Sequence, residues 1–259
     1  MMNIEHTFVI CAYKESSYLK DCMESLRNQA LTSKVILYTS TPNDYIENLC
    51  NQYDIEMFTK PGGGIGKDWN NALSFVKTKY ATIAHQDDYY LAAYAQEIME
   101  TFIKNPGALI AYSDYAEWKN GDVIPHNRNL KIKHLMLKTM SLLPKSIFWR
   151  NRVLSFGNPI CCPAVSYNLD KLKDFTFDEA MKVSLDWKAW YVIGQKKGDF
   201  RFVNQPLMYH RIHEESETTN SILDNSRTNE DRLMYQLYWP KPIANFLMKY
   251  YVKSQETNN

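Results

Sequence analysis

A chain of 259 residues is long enough for one large domain, or for one domain with a helical appendage. With 45% hydrophobic and 23% charged residues and a formal net charge of +1, it reads as a globular protein with no global field to draw it to nucleic acid. No run approaches the roughly 20 apolar residues that span a bilayer, and the five cysteines, odd in number and irregularly spaced, give no disulfide framework. The N-terminus lacks a basic region followed by an apolar run and a cleavage site, so a reducing cytoplasm is the expected compartment.

In chain order, Thr7 to Ala12 is an apolar run of strand length. It leads through Tyr13-Lys14-Glu15 into a helix whose Leu19, Cys22, Met23 and Leu26 share one face, with Ser16 or Ser17 as its cap. Val35 to Thr39 reads as a second strand. A helix opening at Thr41-Pro42 runs toward Cys50, with proline in its first turn. Ile55 to Thr59 is a third strand, followed by the glycine-rich loop Pro61 to Gly66 and a helix with Trp69, Leu73 and Val76 on one side. Tyr80 to Ala84 is a fourth strand ending at His85-Gln86-Asp87-Asp88. A helix from about Ala92 to Lys104 and a strand from Ala108 to Tyr112 complete the alternation.

The second half is less regular. Trp118 to Asp122 looks like a turn between two strands, and residues 130 to 156 read as helical, punctuated by Pro144. Gly157 to Pro163 is a loop, and Phe177 to Ser184 leads into a helix carrying Trp187, Trp190 and Tyr191, which at that spacing read as core. Phe200 to Val203 and Leu207 to His210 resemble strands before the polar run Glu214 to Asn220. The tail from Glu230 is helical, aromatic, and interrupted by Pro240 and Pro242.

Alternation of strands and helices with short connections predicts an α/β protein: a Rossmann-like, mostly parallel sheet with helices on both faces and a C-terminal helical extension. Ligands of such sheets sit outside the carboxyl ends of the strands. Tyr13 and Glu15, Thr39 and Ser40, the glycine loop and the Asp87-Asp88 pair all fall at such ends. Two acids just past an apolar strand can hold Mg²⁺ or Mn²⁺ against a diphosphate, or they can cap the helix that follows. Asp186 can equally be a first-turn residue favoured by its helix dipole, and Asp114 either shapes the site or starts a turn. The set Cys161, Cys162, His210 and His213 lacks the paired spacing of a closed zinc site. The glycine loop lacks the Gly-Lys-Ser/Thr offset of a phosphate loop.

Two blocks carry a resemblance. The segment VICAYKESSYLKDCMESLRNQ, residues 9 to 29, resembles the opening of family 2 glycosyltransferases: a strand, a Tyr-containing turn, then a helix ending Ser-Leu-x-x-Gln. Lys60 to Asp88 resembles the next block, a Gly-rich loop, an Asn on the following helix, a strand and the acidic metal motif. Ser184-Leu185-Asp186-Trp187 is similar to the motif that supplies the catalytic base, and Tyr209-His210-Arg211-Ile212-His213 to the late segment that reaches the donor pyrophosphate and metal. The resemblance spans residues 6 to 216. It implies a GT-A fold and a metal-dependent, inverting transferase, using a UDP-sugar in bacterial surface-polysaccharide synthesis.

Carried over by position, the resemblance implies that Ala12, Tyr13 and Glu15 contact base and ribose, and that Thr39 lies at the base-reading strand end. Asp68 accepts from uracil or ribose, and Lys67 pairs with phosphate. Asp87 and His213 hold Mn²⁺ or Mg²⁺, while His85 and Asp88 support donor ribose or phosphate. Asp186 is the base, and Arg211 faces the leaving diphosphate. Three positions depart from the pattern: His85 where an Asp is common, Thr39-Ser40 where an Asp reads the base, and a lone Asp186 where an acidic pair is usual.

Residues 1–225 then form the catalytic domain, with a nucleotide-sugar half at 1–114 and an acceptor half at 115–225, and 226–259 form the tail. The acceptor is a saccharide or a lipid-linked one. The tail, with Tyr235, Tyr238, Trp239, Phe246, Tyr250 and Tyr251 among Lys241, Lys249 and Lys253, packs on the catalytic domain or a dimer partner, or rests peripherally on the inner membrane face. Two other functions compete. A nucleotidylyltransferase would carry a basic Gly-rich loop after its first strand, which Cys11-Ala12-Tyr13-Lys14 does not supply. A degenerate sugar-nucleotide-binding protein would bind without turnover.

Overall fold

Alternate side chains of the first strand, β1 (His6–Ala12), enter two different cores: Phe8, Ile10 and Ala12 on one side, Val9 on the other. A strand with apolar residues on both of its faces is what a sheet buried on both faces requires. β2 (Lys34–Thr39) repeats the pattern, with Val35 and Leu37 opposite Ile36 and Tyr38. The computed structural model describes residues 5–213 and 226–256.

The first half continues with α1 (Leu19–Arg27), α2 (Asp44–Tyr53), β3 (Glu56–Thr59), α3 (Ile65–Ser74), β4 (Tyr80–His85), the two-residue β5 (Tyr89–Tyr90) and α4 (Tyr94–Lys104). Next come β6 (Ala108–Lys119), β7 (Asp122–Ile124), α5 (Arg128–Ser141), α6 (Ile147–Leu154), β8 (Val165–Asn168), α7 (Leu185–Gly194) and β9 (Asp199–Ile212). The chain closes with α8 (Ser226–Tyr238) and α9 (Lys241–Glu256). These strands form one nine-stranded sheet in the order β3-β2-β1-β4-β8-β6-β9-β5, with β7 paired to β6. Helices α1, α2 and α4 cover one face, through residues such as Met23, Ile46 and Ile98; α3, α6 and α7 cover the other, through Trp69, Leu154 and Trp190.

This is the expected α/β class, with a finer pattern of pairing. β3-β2-β1-β4 is parallel. β8 inserts between β4 and β6 antiparallel to both, while β6 and β9 run parallel to each other. The Asn120-Gly121 pair closes the β6–β7 hairpin with φ of 53° and 88°, the left-handed pair a two-residue hairpin turn needs. The two strand fragments expected at 200–203 and 207–210 are one strand, β9. Pro206, which has no N–H for the ladder, sits where the register with β6 shifts beside Asp114.

Local ends differ from expectation in two places. Helix α1 takes no side-chain cap from Ser16 or Ser17; the Ser16 hydroxyl accepts the Tyr18 N–H at 3.3 Å and the Ser16 carbonyl accepts the Leu19 N–H instead. Helix α2 begins after Asn43, whose side chain accepts the Ile46 N–H at 3.0 Å, so Pro42 lies outside the first turn. The polar run Glu214 to Asn220 lies outside the described residues.

The tail packs on the rest of the chain. Met234 and Tyr235 of α8 and Ala244 and Met248 of α9 enclose Trp187 of α7, whose ring meets that of Tyr235 edge-on at 5.1 Å. The Trp239 indole and the Tyr235 hydroxyl donate to the carbonyls of Ser155 and Phe156 at the end of α6.

Candidate functional site

β4 ends at His85, and the chain turns through Asp87-Asp88 into β5. That short strand pairs antiparallel with β9, placing Tyr89 opposite Tyr209. The pairing delivers His210, Arg211 and His213 to the acidic turn from more than 120 residues away. Asp88 is fully buried, and its Oδ1 accepts from His210 Nδ1 at 2.9 Å and the Arg211 N–H at 3.0 Å. Its Oδ2 and the Nε2 of His85 are buried and have no hydrogen-bond partner among the described residues. Asp87 is more open, and its Oδ2 lies 2.9 Å from His213 Nε2.

Arg211 is held by two side-chain hydrogen bonds and two rings. Its Nε donates to the Asp87 carbonyl at 2.9 Å and its Nη2 to Asp21 at 3.1 Å. Its guanidinium lies over the rings of Tyr18, at 4.4 Å, and Trp118, at 4.1 Å. Trp118 is its register partner across β6 and β9.

The charges settle accordingly. Burial pulls the His85 imidazole down against the opposing charges of Asp88 and Asp87, so it is neutral at physiological pH. For His210 burial also acts downward, but the Asp88 charge and hydrogen bond outweigh it and raise the imidazole to about 9. Burial alone would raise Asp87; the His213 hydrogen bond and the neighbouring imidazoles outweigh it and hold the carboxyl below its usual value. Ligand atoms of His85, Asp87 and Asp88 lie within 4.8 Å of one another. Carboxylates and an imidazole, with one buried carboxylate oxygen unpartnered, fit a divalent cation of the Mg²⁺ or Mn²⁺ kind.

The adjoining strand ends build the rest of the edge. Gln86 clips the Tyr13 backbone through both its amide atoms, at 3.0 and 3.1 Å, leaving the Tyr13 ring half exposed. Lys14 adopts φ 55° at that turn, and its N–H donates to Thr41. Glu15 is exposed beside it, while Ala12 is buried and pairs with Thr39. Thr39 is itself fully buried and its hydroxyl accepts the Thr41 N–H, so it closes the turn; Ser40 is the residue that faces across the edge. Asp68, in the first turn of α3, accepts from Ser40 at 2.9 Å and from the Tyr38 hydroxyl at 3.1 Å. Lys67 lies across Gly63, whose added Cβ would meet it at 2.7 Å. The Trp69 ring stacks on His85 at 5.2 Å.

Asp186 stands in the first turn of α7. Its Oδ1 accepts the Trp187 N–H at 2.6 Å and its Oδ2 the Asn158 amide at 2.7 Å. Burial raises this carboxyl to about 6 against those two donors. Burial pushes up the Cys161 thiol, and the charges of Asp88 and Asp186 both act on it in the same direction. Asp114 starts no turn: it sits at the β6 irregularity, 2.6 Å from His134 Nδ1.

The structure therefore brings Tyr13, His85, Asp87, Asp88, Arg211 and His213 together, sets Asp68, Lys67 and Ser40 along the same edge, and leaves Thr39 inside it. Sequence reading missed Gln86, Asp21, Tyr18, Trp118 and Asn158. Gln86 lies inside the motif that was singled out, and its amide could have been weighed; the other partners come from distant segments with no local mark.

The profile of glycosyl transferase family 2 matches residues 7–168. The minor teichoic acid biosynthesis protein GgaB of Bacillus subtilis (strain 168) is 22% identical over 247 residues, which cover 91% of this chain and 26% of that protein. The chain thus spans about a quarter of the length of this curated relative. Among solved structures, S. aureus TarS 1–349 in complex with UDP-GlcNAc superposes with a TM-score of 0.65 at 14% identity, covering 96% of this chain and 72% of that one. The mannosyltransferase PcManGT from Pyrobaculum calidifontis, in complex with GDP-Man and Mn²⁺, superposes with a TM-score of 0.64 at 9% identity, covering 94% and 68%.

Proposed function

The chain belongs to glycosyl transferase family 2, and from that premise we propose that it moves a sugar from a nucleotide-diphosphate donor, a UDP-sugar, to an acceptor hydroxyl with inversion. The observation that carries this reading is the presence of two acidic centres near one another, both close enough to Cys161 for their charges to act on its thiol. One, Asp87 with His213, suits a cation and a diphosphate; the other, Asp186, is a carboxyl raised to about 6, close to the value a general base needs at neutral pH. Residues 1–114 are the donor half and 115–225 the acceptor half. The relatives' bound nucleotide sugars support the donor class, and the likeness to GgaB supports a role in a bacterial surface polysaccharide.

In this mechanism Asp186 takes the proton of the acceptor hydroxyl as its oxygen attacks the anomeric carbon. The bond from that carbon to the diphosphate oxygen breaks with its electron pair, and Arg211 and His213 face the charge that builds there. Asp87 and His213 would hold a Mn²⁺ or Mg²⁺ ion, which supplies positive charge against the donor phosphates when bound. Asp88, which is buried, and His210, which is partly exposed, are joined as an ion pair that keeps β9 and its Arg211 against the turn. Tyr13 offers its exposed ring to the base, with Ala12, Glu15 and Thr39 forming that wall. Asp68 and Lys67 meet base or ribose and phosphate, and His85 the ribose.

The test is a thermal-melt panel of nucleotide sugars with and without Mn²⁺, followed by transfer assays on positive donors. A ligand at a hundredfold excess over its Kd stabilises by about 2.7 kcal/mol, a rise of several degrees. That rise should require Mn²⁺ and vanish in Asp87→Ala. Stabilisation independent of metal and unchanged in the variant would overturn the assignment. Binding without turnover across many acceptors would favour the degenerate binder.

A further inference from the structure

Between Asp122 and Asp170 the chain carries seven of its 30 Lys and Arg and none of its 29 Asp and Glu. This acid-free stretch includes α5 and α6. Helix α5 is apolar on two faces: Leu130, Leu137 and Met140 are buried in the fold, whereas Ile132 and Leu135 are 51% and 65% exposed. The outward pair shares an open groove with Arg128 and Lys131. The loop to α6 continues the surface with Leu142, 71% exposed, and α6 itself with Phe148, 69% exposed. The Trp149 indole donates to the Thr139 carbonyl at 2.7 Å, tying α6 to α5. Two of the seven cations point elsewhere: Arg150 is buried against the carbonyls of Gly194, Lys196 and Gly198, and Lys133 reaches the Tyr115 hydroxyl. Of the other five, Arg128, Lys131, Lys138 and Lys145 are exposed, and Arg152 lies over the rings of Phe148 and Trp239.

We propose that this α5–α6 face docks on the surface of a bilayer rich in anionic lipid. Large apolar tips among flexible cations, on two helices that carry no carboxylate of their own, match an interface where side chains enter the acyl boundary while ammonium groups stay at the phosphates. A second copy of the same face would bring like charge onto like charge. Nucleic acid would make no use of exposed Leu135 and Leu142. No helix among the described residues is long and apolar enough to cross a membrane, so the contact is peripheral. In the tail, Tyr235, Tyr238 and Trp239 pack around Trp187. The inference stands on the surface itself and not on the sugar chemistry proposed above.

The test is sedimentation of the whole chain with vesicles of phosphatidylcholine alone or mixed with phosphatidylglycerol, at about 0.1 M salt, where screening acts over about 10 Å. The chain should sediment with the anionic vesicles only and be released by high salt. The double variant L142S/F148S and the triple variant K131Q/K138Q/K145Q should each weaken binding about tenfold or more while melting like the parent. Equal sedimentation with neutral vesicles, or variants that bind as the parent does, would overturn the proposal. So would capture by heparin beads without vesicle binding, which assigns the face to a soluble polyanion. A concentration-dependent dimer by light scattering that the same variants abolish would assign it to a second copy.

Discussion

Asp186 meets two opposing demands. Half-buried at the start of α7, it is costly to ionise, and burial raises its carboxyl to about 6; the Trp187 N–H and the Asn158 amide keep it from rising further. Because the folded value exceeds the unfolded one near 3.8, the protonated form favours the fold. That stability is fully present below about pH 4 and is lost as pH rises through about 6. Asp186→Asn removes the penalty, so the variant should be more stable than the parent at pH 8. The upper bound is about 3 kcal/mol and a solvent-touched site should give about 1–2 kcal/mol. The difference should close by pH 4, as melts across pH would show; a variant less stable at pH 8 would refute the account. The same variant should lose transfer while keeping donor binding. Asn158→Ala withdraws a donor from the carboxylate, so the acid limb of kcat/KM, set near pH 6 in the parent, should move to higher pH.

The elements that deliver these side chains were legible to different degrees. Strands β1, β2 and β4 and the buried stripe of α1 were readable because a two-faced sheet and an amphipathic helix each impose a period on the sequence. The caps were not: whether Ser16 or Asn43 accepts a helical N–H depends on one or two backbone angles that composition does not fix. Nor was β5, whose two residues acquire strand geometry only by pairing with β9. The least visible contact joins α8 to α7. The Glu230 carboxylate accepts the N–H groups of Lys182, Val183 and Ser184 at 2.8, 2.8 and 2.9 Å, and the Ser184 hydroxyl donates to Asp231 at 2.7 Å. These bonds bridge 46 to 48 residues and set the turn that leads directly to Asp186. Glu230→Ala should therefore destabilise the chain by about 2–3 kcal/mol, with Glu230→Gln losing less because its amide oxygen still accepts. If the turn positions the base, kcat should fall more than KM changes. An Ala variant with the parent's melting temperature would show that water replaces the carboxylate.

At the scale of the whole molecule, β1, β2 and β3 follow from sequence because each pairs with the next strand through one helix, whereas β4 returns past β3 and β2 to pair with β1. The second half does not, since β8 inserts between β4 and β6 and pairs with residues 80–82 across some 85 positions. Long-range antiparallel insertion leaves no periodic mark. The tail has the same property. As a sequence it is a separable aromatic extension, yet Met234, Tyr235, Ala244 and Met248 help to bury Trp187, which is 1% exposed. A buried Trp withdraws about 150–250 Å² from water, worth about 4–6 kcal/mol at about 25 cal/mol per Å². That is comparable with the whole margin of a typical domain, about 5–15 kcal/mol. Truncation after residue 225 would expose this ring and also remove the Glu230 clamp. The shortened chain should melt far below the parent or fail to fold cooperatively, with red-shifted tryptophan emission. A truncated chain that keeps the parent's melting temperature and emission would instead make 226–259 a separate module.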